Sequence, residues 1–298
     1  MKKWFVHSLR IVRPDHWIKN VFVFAALIFS GRFYGPFAEA IQAWGACIGA
    51  FVSFCLASST GYIFNDIVDR EADRHHPYKC LRPLAAGEIS IRTVVGVAGF
   101  CVLMALSCAW FLSRSLFIVL VAYLLLMMLY SVYFKKIMIL DCILIALGFC
   151  LRAVGGAVVL DVMISPWLVI CTFSLSLFLA FGKRYSELVQ LGAFGETCRY
   201  ALASYTPELL SHMLNIAGSL TLVCFLLYTT NEQTRTLFNH AHLVYSSPFV
   251  LYCVCRCSAL IQKGQFSDPV WVILQDRPFQ VGFLGWLICC IAVILWNR

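Results

Sequence analysis

The chain has 298 residues, of which 61% are hydrophobic and only 13% charged, with a net charge of +8. Soluble domains carry about 25% charged residues, so this composition excludes a soluble globular protein. The basic balance does not indicate nucleic acid in a chain this apolar; it indicates a basic cytoplasmic face and sites for anionic substrates.

At the N-terminus, Lys2 and Lys3 resemble the start of a secretory signal, but Arg10, Arg13, Asp15 and Lys19 interrupt any apolar core, so no cleavable signal is expected. Trp4, Phe5, Leu9, Ile11 and Val12 lie among these cations, the pattern of a short interfacial segment over residues 1–16. A spanning helix needs about 17–25 apolar residues. Segments that qualify are 17–33, 38–64, 91–112, 115–134, 138–160, 164–182, 207–230, 241–262 and 279–297. The expectation is an all-α integral membrane protein, a nine-helix bundle forming a single transmembrane catalytic domain over 1–298, with termini on opposite sides. Of the 23 Lys and Arg residues, only Arg32, Arg114, Arg235 and Arg298 fall on the side away from the N-terminus, and Arg152 lies within a span. The positive-inside rule makes the N-terminal side cytoplasmic. The longest connections, 65–90 and 183–206, both face that side and carry most of the unusual polar residues.

The first of these connections opens Asn65-Asp66-Ile67-Val68-Asp69-Arg70-Glu71-Ala72-Asp73. On a helix, Asp66, Asp69 and Asp73 project from one face. Carboxylates so close repel one another unless a cation sits among them, and hard oxygen ligands suit Mg²⁺, which binds one or two carboxylates and completes its shell with water and phosphate. Arg74, Lys79 and Arg82 follow at once. Lys79 and Arg82 satisfy the positive-inside rule, but beside the aspartates they also suit phosphate binding. His75 and His76 are adjacent and face different ways, with no further ligand nearby to make a zinc site.

After the fourth span come Tyr130, Lys135 and Lys136, then Asp141. Asp141 and Arg152 stand close to three helical turns apart and share a face. An ionisable residue inside a span is a functional candidate by default, the competing reading of Arg152 being a structural tie. The second connection opens Gly182-Lys183-Arg184-Tyr185-Ser186-Glu187, where Lys183, Arg184 and Glu187 are candidates. Ser267-Asp268-Pro269 and Asp276-Arg277-Pro278 read as turns or helix starts. Cys253, Cys255 and Cys257 are spaced so that a helix points them apart, and the 15 cysteines read mainly as small apolar packing residues.

Asn65-Asp66-x-x-Asp69-x-x-x-Asp73, with nine spans, resembles the UbiA superfamily of intramembrane prenyltransferases over essentially the whole chain. That resemblance implies helices around a central cavity with a side opening for a polyprenyl chain, and Mg²⁺ on a pyrophosphate held by Asp66, Asp69 and Asp73. Members with aromatic acceptors carry a second aspartate-rich motif where this chain has Gly182-Lys183-Arg184 and Glu187, and many place four residues where Tyr130 and Lys135 stand five apart. These departures resemble the decaprenyl-phosphate phosphoribosyltransferase subgroup, together with Arg13-Pro14-Asp15-His16-Trp17-Ile18-Lys19-Asn20, Asp73-Arg74-His75-His76-Pro77, Arg82-Pro83-Leu84-Ala85-Ala86-Gly87 and Asp276-Arg277-Pro278.

The resemblance implies transfer of 5-phosphoribose from phosphoribosyl pyrophosphate to a polyprenyl phosphate, releasing pyrophosphate, in a bacterial plasma membrane, as a step toward lipid-linked arabinose for the cell envelope. Asn65, Asp66, Asp69 and Asp73 are the expected catalytic residues. Lys19, Lys79, Arg82, Tyr130, Lys135, Lys136, Arg152, Lys183, Arg184 and Glu187 are expected around the substrate phosphates, with Arg13 as a further steering cation. The expected partners are the two substrates, the bilayer, a further copy of the chain, and no nucleic acid. The alternatives are an aromatic-acid polyprenyltransferase using a polyprenyl pyrophosphate and, from another class, a transporter or lipid flippase, whose sites lie near the midplane and which leaves the cytoplasmic aspartates without a role.

Overall fold

A computed structural model describes residues 10–34, 36–75, 77–191, 202, 204–238, 242–266 and 268–296. Most of the expected interfacial segment and of the stretch 192–203 lies outside them. All regular elements among the described residues are helical, as lipid demands of a chain that must satisfy its backbone polar groups internally. After a 3₁₀ segment Pro14–Phe24 come α1 (Ala25–Phe29), α2 (Phe37–Val68), α3 (Arg70–Arg74), α4 (Ile91–Leu112), α5 (Arg114–Val132), α6 (Leu140–Val159) and α7 (Pro166–Leu191). Then follow α8 (Pro207–Thr230), α9 (Glu232–Leu237), α10 (Ser247–Gln262), α11 (Pro269–Gln275) and α12 (Arg277–Trp296). Eight helices among the described residues are long and apolar enough to cross a membrane, which makes the chain a multi-pass integral membrane protein.

The ninth expected span, 17–33, is not one α-helix. Its place is taken by the 3₁₀ segment and the five-residue α1. The 3₁₀ coil has three residues per turn, so Trp17, Asn20 and Val23 stand in one line. Trp17 and Asn20 hydrogen-bond to α2, and Val23 meets α6 so closely that a Cβ on Gly156 would lie 1.9 Å from its carbonyl oxygen. An α-helix would rotate each successive rung by about 60° away from that line. At about 2.0 Å per 3₁₀ residue and 1.5 Å per α residue, residues 14–29 still extend roughly 30 Å, the thickness of the hydrocarbon layer.

The second correction concerns the expected connection 183–206. α7 does not stop at residue 182 but runs to Leu191, so Lys183, Arg184 and Glu187 sit on helix. α2 likewise runs past Phe64 to Val68 and carries Asn65 and Asp66 on its last turn.

The chain forms two compact units, Met1–Leu168 and Val169–Arg298. In the first, Ala50, Phe54 and Ala57 of α2 pack with Ala105 and Ala109 of α4 and with Leu116, Leu120 and Tyr123 of α5. Alanines on two facing helices let their backbones approach closely, the usual source of helix association in lipid, where no hydrophobic force drives it. In the second, α10 and α12 meet through Gly282 against Tyr252 and Gly285 against Phe249. Helix starts are set locally: Ser90 accepts from the Thr93 N–H at 3.2 Å, and Thr206 from the Leu209 N–H at 3.1 Å with Pro207 next to it.

Candidate active site

Asp69 is the joint between α2 and α3, with φ −90° and ψ 2°. Hydrogen bonds from the Asp69 N–H to the Asn65 carbonyl (2.9 Å) and from the Asp73 N–H to the Asp69 carbonyl (2.8 Å) carry the helical path through this joint. Asp66, Asp69 and Asp73 therefore stay within two turns of one another. Asp66 and Asp73 are buried, and Asp69 is half-buried.

The cations reach these carboxylates from three separate places. Arg82 opens a turn in which the Ala86 N–H donates to its carbonyl at 2.8 Å and the Glu88 N–H to that of Pro83 at 2.9 Å. Gly87 takes φ +77°, a left-handed conformation that costs only glycine nothing. Leu84 pins the turn by packing with Ile11, Ile63, Ile89 and Val94. Arg82 Nη1 then donates to Asp73 Oδ2 at 2.5 Å and to Asp66 Oδ1 at 3.0 Å. Arg13, which precedes the 3₁₀ segment, places Nη2 at 2.7 and 2.8 Å from the two oxygens of Asp66, with its guanidinium 5.3 Å from the centre of the Tyr62 ring. Lys135, in the 3₁₀ turn Phe134–Lys136 after α5, donates to Asp69 Oδ1 and, at 3.2 Å, to Asn65 Oδ1. Asn65 Nδ2 closes this group by donating to Asp69 Oδ2 at 3.0 Å.

The carboxylates thus divide into two sets. Asp66 and Asp73 converge on one nitrogen of Arg82, while Asp69 turns to Lys135 and Asn65. Among the described residues no three carboxylate, histidine or cysteine groups gather as one ligand set. Arg82 and Lys135 hold the carboxylate oxygens that the expected ion would take from Asp66, Asp69 and Asp73. The donor chemistry nevertheless fits a hard divalent cation. Two carboxylate oxygens already meet at one cationic atom, and Mg²⁺ is characteristically held by one or two carboxylates together with phosphate oxygens.

Of the other candidates, Lys19, Lys79 and Tyr130 are half-buried and Lys136 exposed, and each engages a neighbour. Arg152 stands apart. It is buried, and its donors go to Asn20 Oδ1 (2.6 Å), the Gly148 carbonyl (2.8 Å) and the Tyr123 hydroxyl (2.8 Å), with its guanidinium 4.7 Å from the Tyr123 ring centre. These are the bonds of a structural tie, the competing reading of Arg152. Asp141, also buried, engages a neighbour too. In the second unit Lys183 Nζ lies 3.1 Å from Asp268 Oδ2, and the buried Arg184 donates to Glu187 Oε2 at 2.7 Å. Between them Ser186 keeps a buried hydroxyl with no hydrogen-bond partner.

Asp276 lies outside the spans. Its Oδ2 accepts from the Phe279 N–H at 2.8 Å, capping α12, and its two oxygens accept from Arg256 at 3.0 and 3.1 Å. The Arg256 hydrogen bonds, with the backbone bond from Phe279, hold this carboxyl below the usual carboxylate range. Asp276-Arg277-Pro278 is therefore the helix start expected of it.

Sequence reasoning had Arg13 only as a steering cation, and it missed Asn20, Tyr123 and Asp268. Each of these meets a partner far away in the chain. The one local signal was the three-residue spacing of Trp17, Asn20 and Val23.

Comparison with known proteins gives consistent results. The UbiA prenyltransferase family matches residues 21–190. A decaprenyl-phosphate phosphoribosyltransferase from Mycolicibacterium smegmatis is 33% identical over 289 residues, covering 94% of this chain and 89% of that protein. The enzyme of the same name from Corynebacterium glutamicum is 31% identical over 292 residues, covering 96% and 86%. Among solved structures, a UbiA homologue from Archaeoglobus fulgidus bound to DMAPP and Mg²⁺ shares the fold with a TM-score of 0.69 at 17% identity, covering 96% of this chain and 98% of that one.

Proposed function

Since this chain belongs to the UbiA prenyltransferase family, we propose that it transfers a 5-phosphoribosyl group from phosphoribosyl pyrophosphate to a polyprenyl phosphate on the cytoplasmic face of a bacterial plasma membrane. The product would feed lipid-linked arabinose for the cell envelope. The observation that carries this reading is the charge of the two groups of candidates. Asp66 and Asp73 would form a cation-binding pair, with Arg13 on Asp66, Arg82 on both, and Lys135 on the neighbouring Asp69. The segment where a prenyl-donor enzyme needs a second acidic pair instead carries Lys183 and Arg184. A reaction among three phosphate-bearing groups calls for such cations; a phenolic acceptor does not. The names of the relatives support the same substrates.

In this reading Asp66 and Asp73 would hold Mg²⁺, which supplies neutralising charge to a departing pyrophosphate. Arg82 and Arg13 bind pyrophosphate oxygens as they exchange from carboxylate to phosphate, both being planar forks suited to either anion. Lys135 and Asn65 hold Asp69 and offer donors to the ribose. The bond from C1 of the ribose to pyrophosphate breaks with its electron pair going to pyrophosphate, and a lipid phosphate oxygen forms the new bond to C1 from the opposite face. That oxygen is already ionised, so no side chain has to remove a proton. The protein acts by positioning and by fixed charge. The 5-phosphate would be taken either by Lys183 and Arg184 or by Lys135 and Lys136.

The test is to incubate membranes holding the protein with labelled phosphoribosyl pyrophosphate and a polyprenyl phosphate, with and without chelator. A labelled anionic lipid that disappears with chelator supports the proposal. Product formed only from a prenyl pyrophosphate and a phenolic acid overturns it in favour of aromatic prenyl transfer.

A further inference from the structure

Residues 10–24 lie along α2 as a strap with a row of fastenings. Ser59 Oγ lies 2.7 Å from the Val12 carbonyl and 2.9 Å from that of Cys55, sharing its one proton between them, and accepts from Trp17 Nε1 at 3.1 Å. Asn20 Nδ2 donates to Ser58 Oγ at 3.2 Å and Cys55 Sγ at 3.3 Å, while its Oδ1 accepts from Arg152 of α6. Val23 rests on Gly156. At the far end Arg13 adopts φ 54° and ψ 62°, a left-handed conformation that is unfavourable for a residue with a Cβ. Such a conformation persists only where its surroundings over-determine it. The fastenings are those surroundings, because they fix the chain on both sides of the bend that delivers the Arg13 guanidinium to Asp66.

We infer that Asn20, Ser59 and Arg152 are positioning residues: they set the register of the strap on α2, and through Arg13 they set the affinity of Asp66 and its neighbours for a divalent cation carrying pyrophosphate. Their reach is indirect. Arg152 has its three donating nitrogens committed to Asn20, Tyr123 and Gly148, and Asn20 uses both Nδ2 and Oδ1 within the strap's fastenings. Arg152 gains its role from Asn20, which lies one 3₁₀ turn from Trp17 and two from Pro14, the residue next to Arg13. A buried guanidinium inside a membrane bundle is costly to keep, and here it holds Asn20, a strap residue bonded to both α2 and α6. The inference rests on the reading of Asp66 and Asp73 as a cation–pyrophosphate site.

The experiment uses the full chain in nanodiscs and two readouts. Hydrogen exchange over residues 10–24, measured without ligand, compares wild type with Asn20→Ala and Ser59→Ala; faster exchange in both is expected. Binding of inorganic pyrophosphate in the presence of Mg²⁺, by calorimetry, is then followed through a double-mutant cycle with Arg13→Ala. Asn20→Ala is expected to weaken binding about tenfold, the loss typical when a residue orienting a ligand group is removed. In the Arg13→Ala background it should add nothing, because its effect passes through Arg13. Unchanged exchange, or losses that multiply in the double variant as a general structural defect would make them, overturn the inference. Ser59→Ala leaves no buried charge unpaired, and it keeps the test decisive where Asn20→Ala does not fold. The exchange readout needs no ligand, so failure of wild type to bind magnesium pyrophosphate would refute the functional reading while leaving the strap's register to be decided by exchange.

Discussion

Arg82 donates through one nitrogen to two carboxylates, and that sharing defines what each residue at the site can be asked to do. Asp66 and Asp73 face each other across the Arg82 cation, so their charge, more than their shape, is the functional quantity. Asp66→Asn and Asp73→Asn are expected to insert normally and to lose transfer activity by at least about a hundredfold, the scale of removing one preorganised charge from a reacting centre. Near-wild-type turnover by either variant would refute the cation assignment. Asp276 has a different task. Its carboxyl is held below its usual range by Arg256, so the contribution is fully present above the unfolded value, about 3.9. That contribution is lost as pH falls through the lower folded value. The melting temperature of Asp276→Asn should therefore lie below wild type at pH 7 and converge with it as pH falls below about 4; a gap that persists to pH 2 would contradict the pairing.

At the level of elements, the 3₁₀ segment departs furthest from what hydropathy suggests. An apolar stretch at the right length reads as an α-helix, yet long 3₁₀ runs are uncommon, and this one exists because three rungs must point one way. Gly156 is the contact that tolerates no side chain. Gly156→Ala is expected to destabilise the protein by about 1–3 kcal/mol, as overpacking does. Gly99→Ala on α4, where a Cβ meets nothing within 4 Å, should be neutral or slightly stabilising. Equal melting temperatures for the two variants would remove the basis for the close approach. α7 gives the complementary case: its polar end continues as helix to Leu191, because Lys, Arg, Glu and Leu are good helix formers and a change from apolar to polar composition ends a span without ending the helix.

For the molecule as a whole, the charge asymmetry predicts one orientation. Cys80 lies in the connection that carries Arg82 and is partly exposed. With the other cysteines replaced by serine, a membrane-impermeant maleimide should label Cys80 in inverted vesicles and not in intact cells, with Cys80→Ser removing the signal. The opposite pattern would place the carboxylates outside and refute a cytoplasmic donor. Removal of divalent cations should abolish transfer reversibly, with activity returning on addition of Mg²⁺.

The membrane class, most of the spans to within a few residues, and the stretch bearing the carboxylates were all legible in the chain. α4 and α8 occupy the limits that hydropathy drew. These properties are sums over neighbouring residues, so a linear reading captures them. The Asp-rich spacing likewise carries the expectation of a cation and a pyrophosphate. Partnership was not legible. That Arg13 meets Asp66, that Lys135 meets Asp69, and that Arg152 meets Asn20 are contacts between residues far apart in the chain. No local periodicity records them. They follow from which helix faces which, and that was decided by packing: the alanines between α2 and α4, and the glycine on α6 that lets the strap lie down.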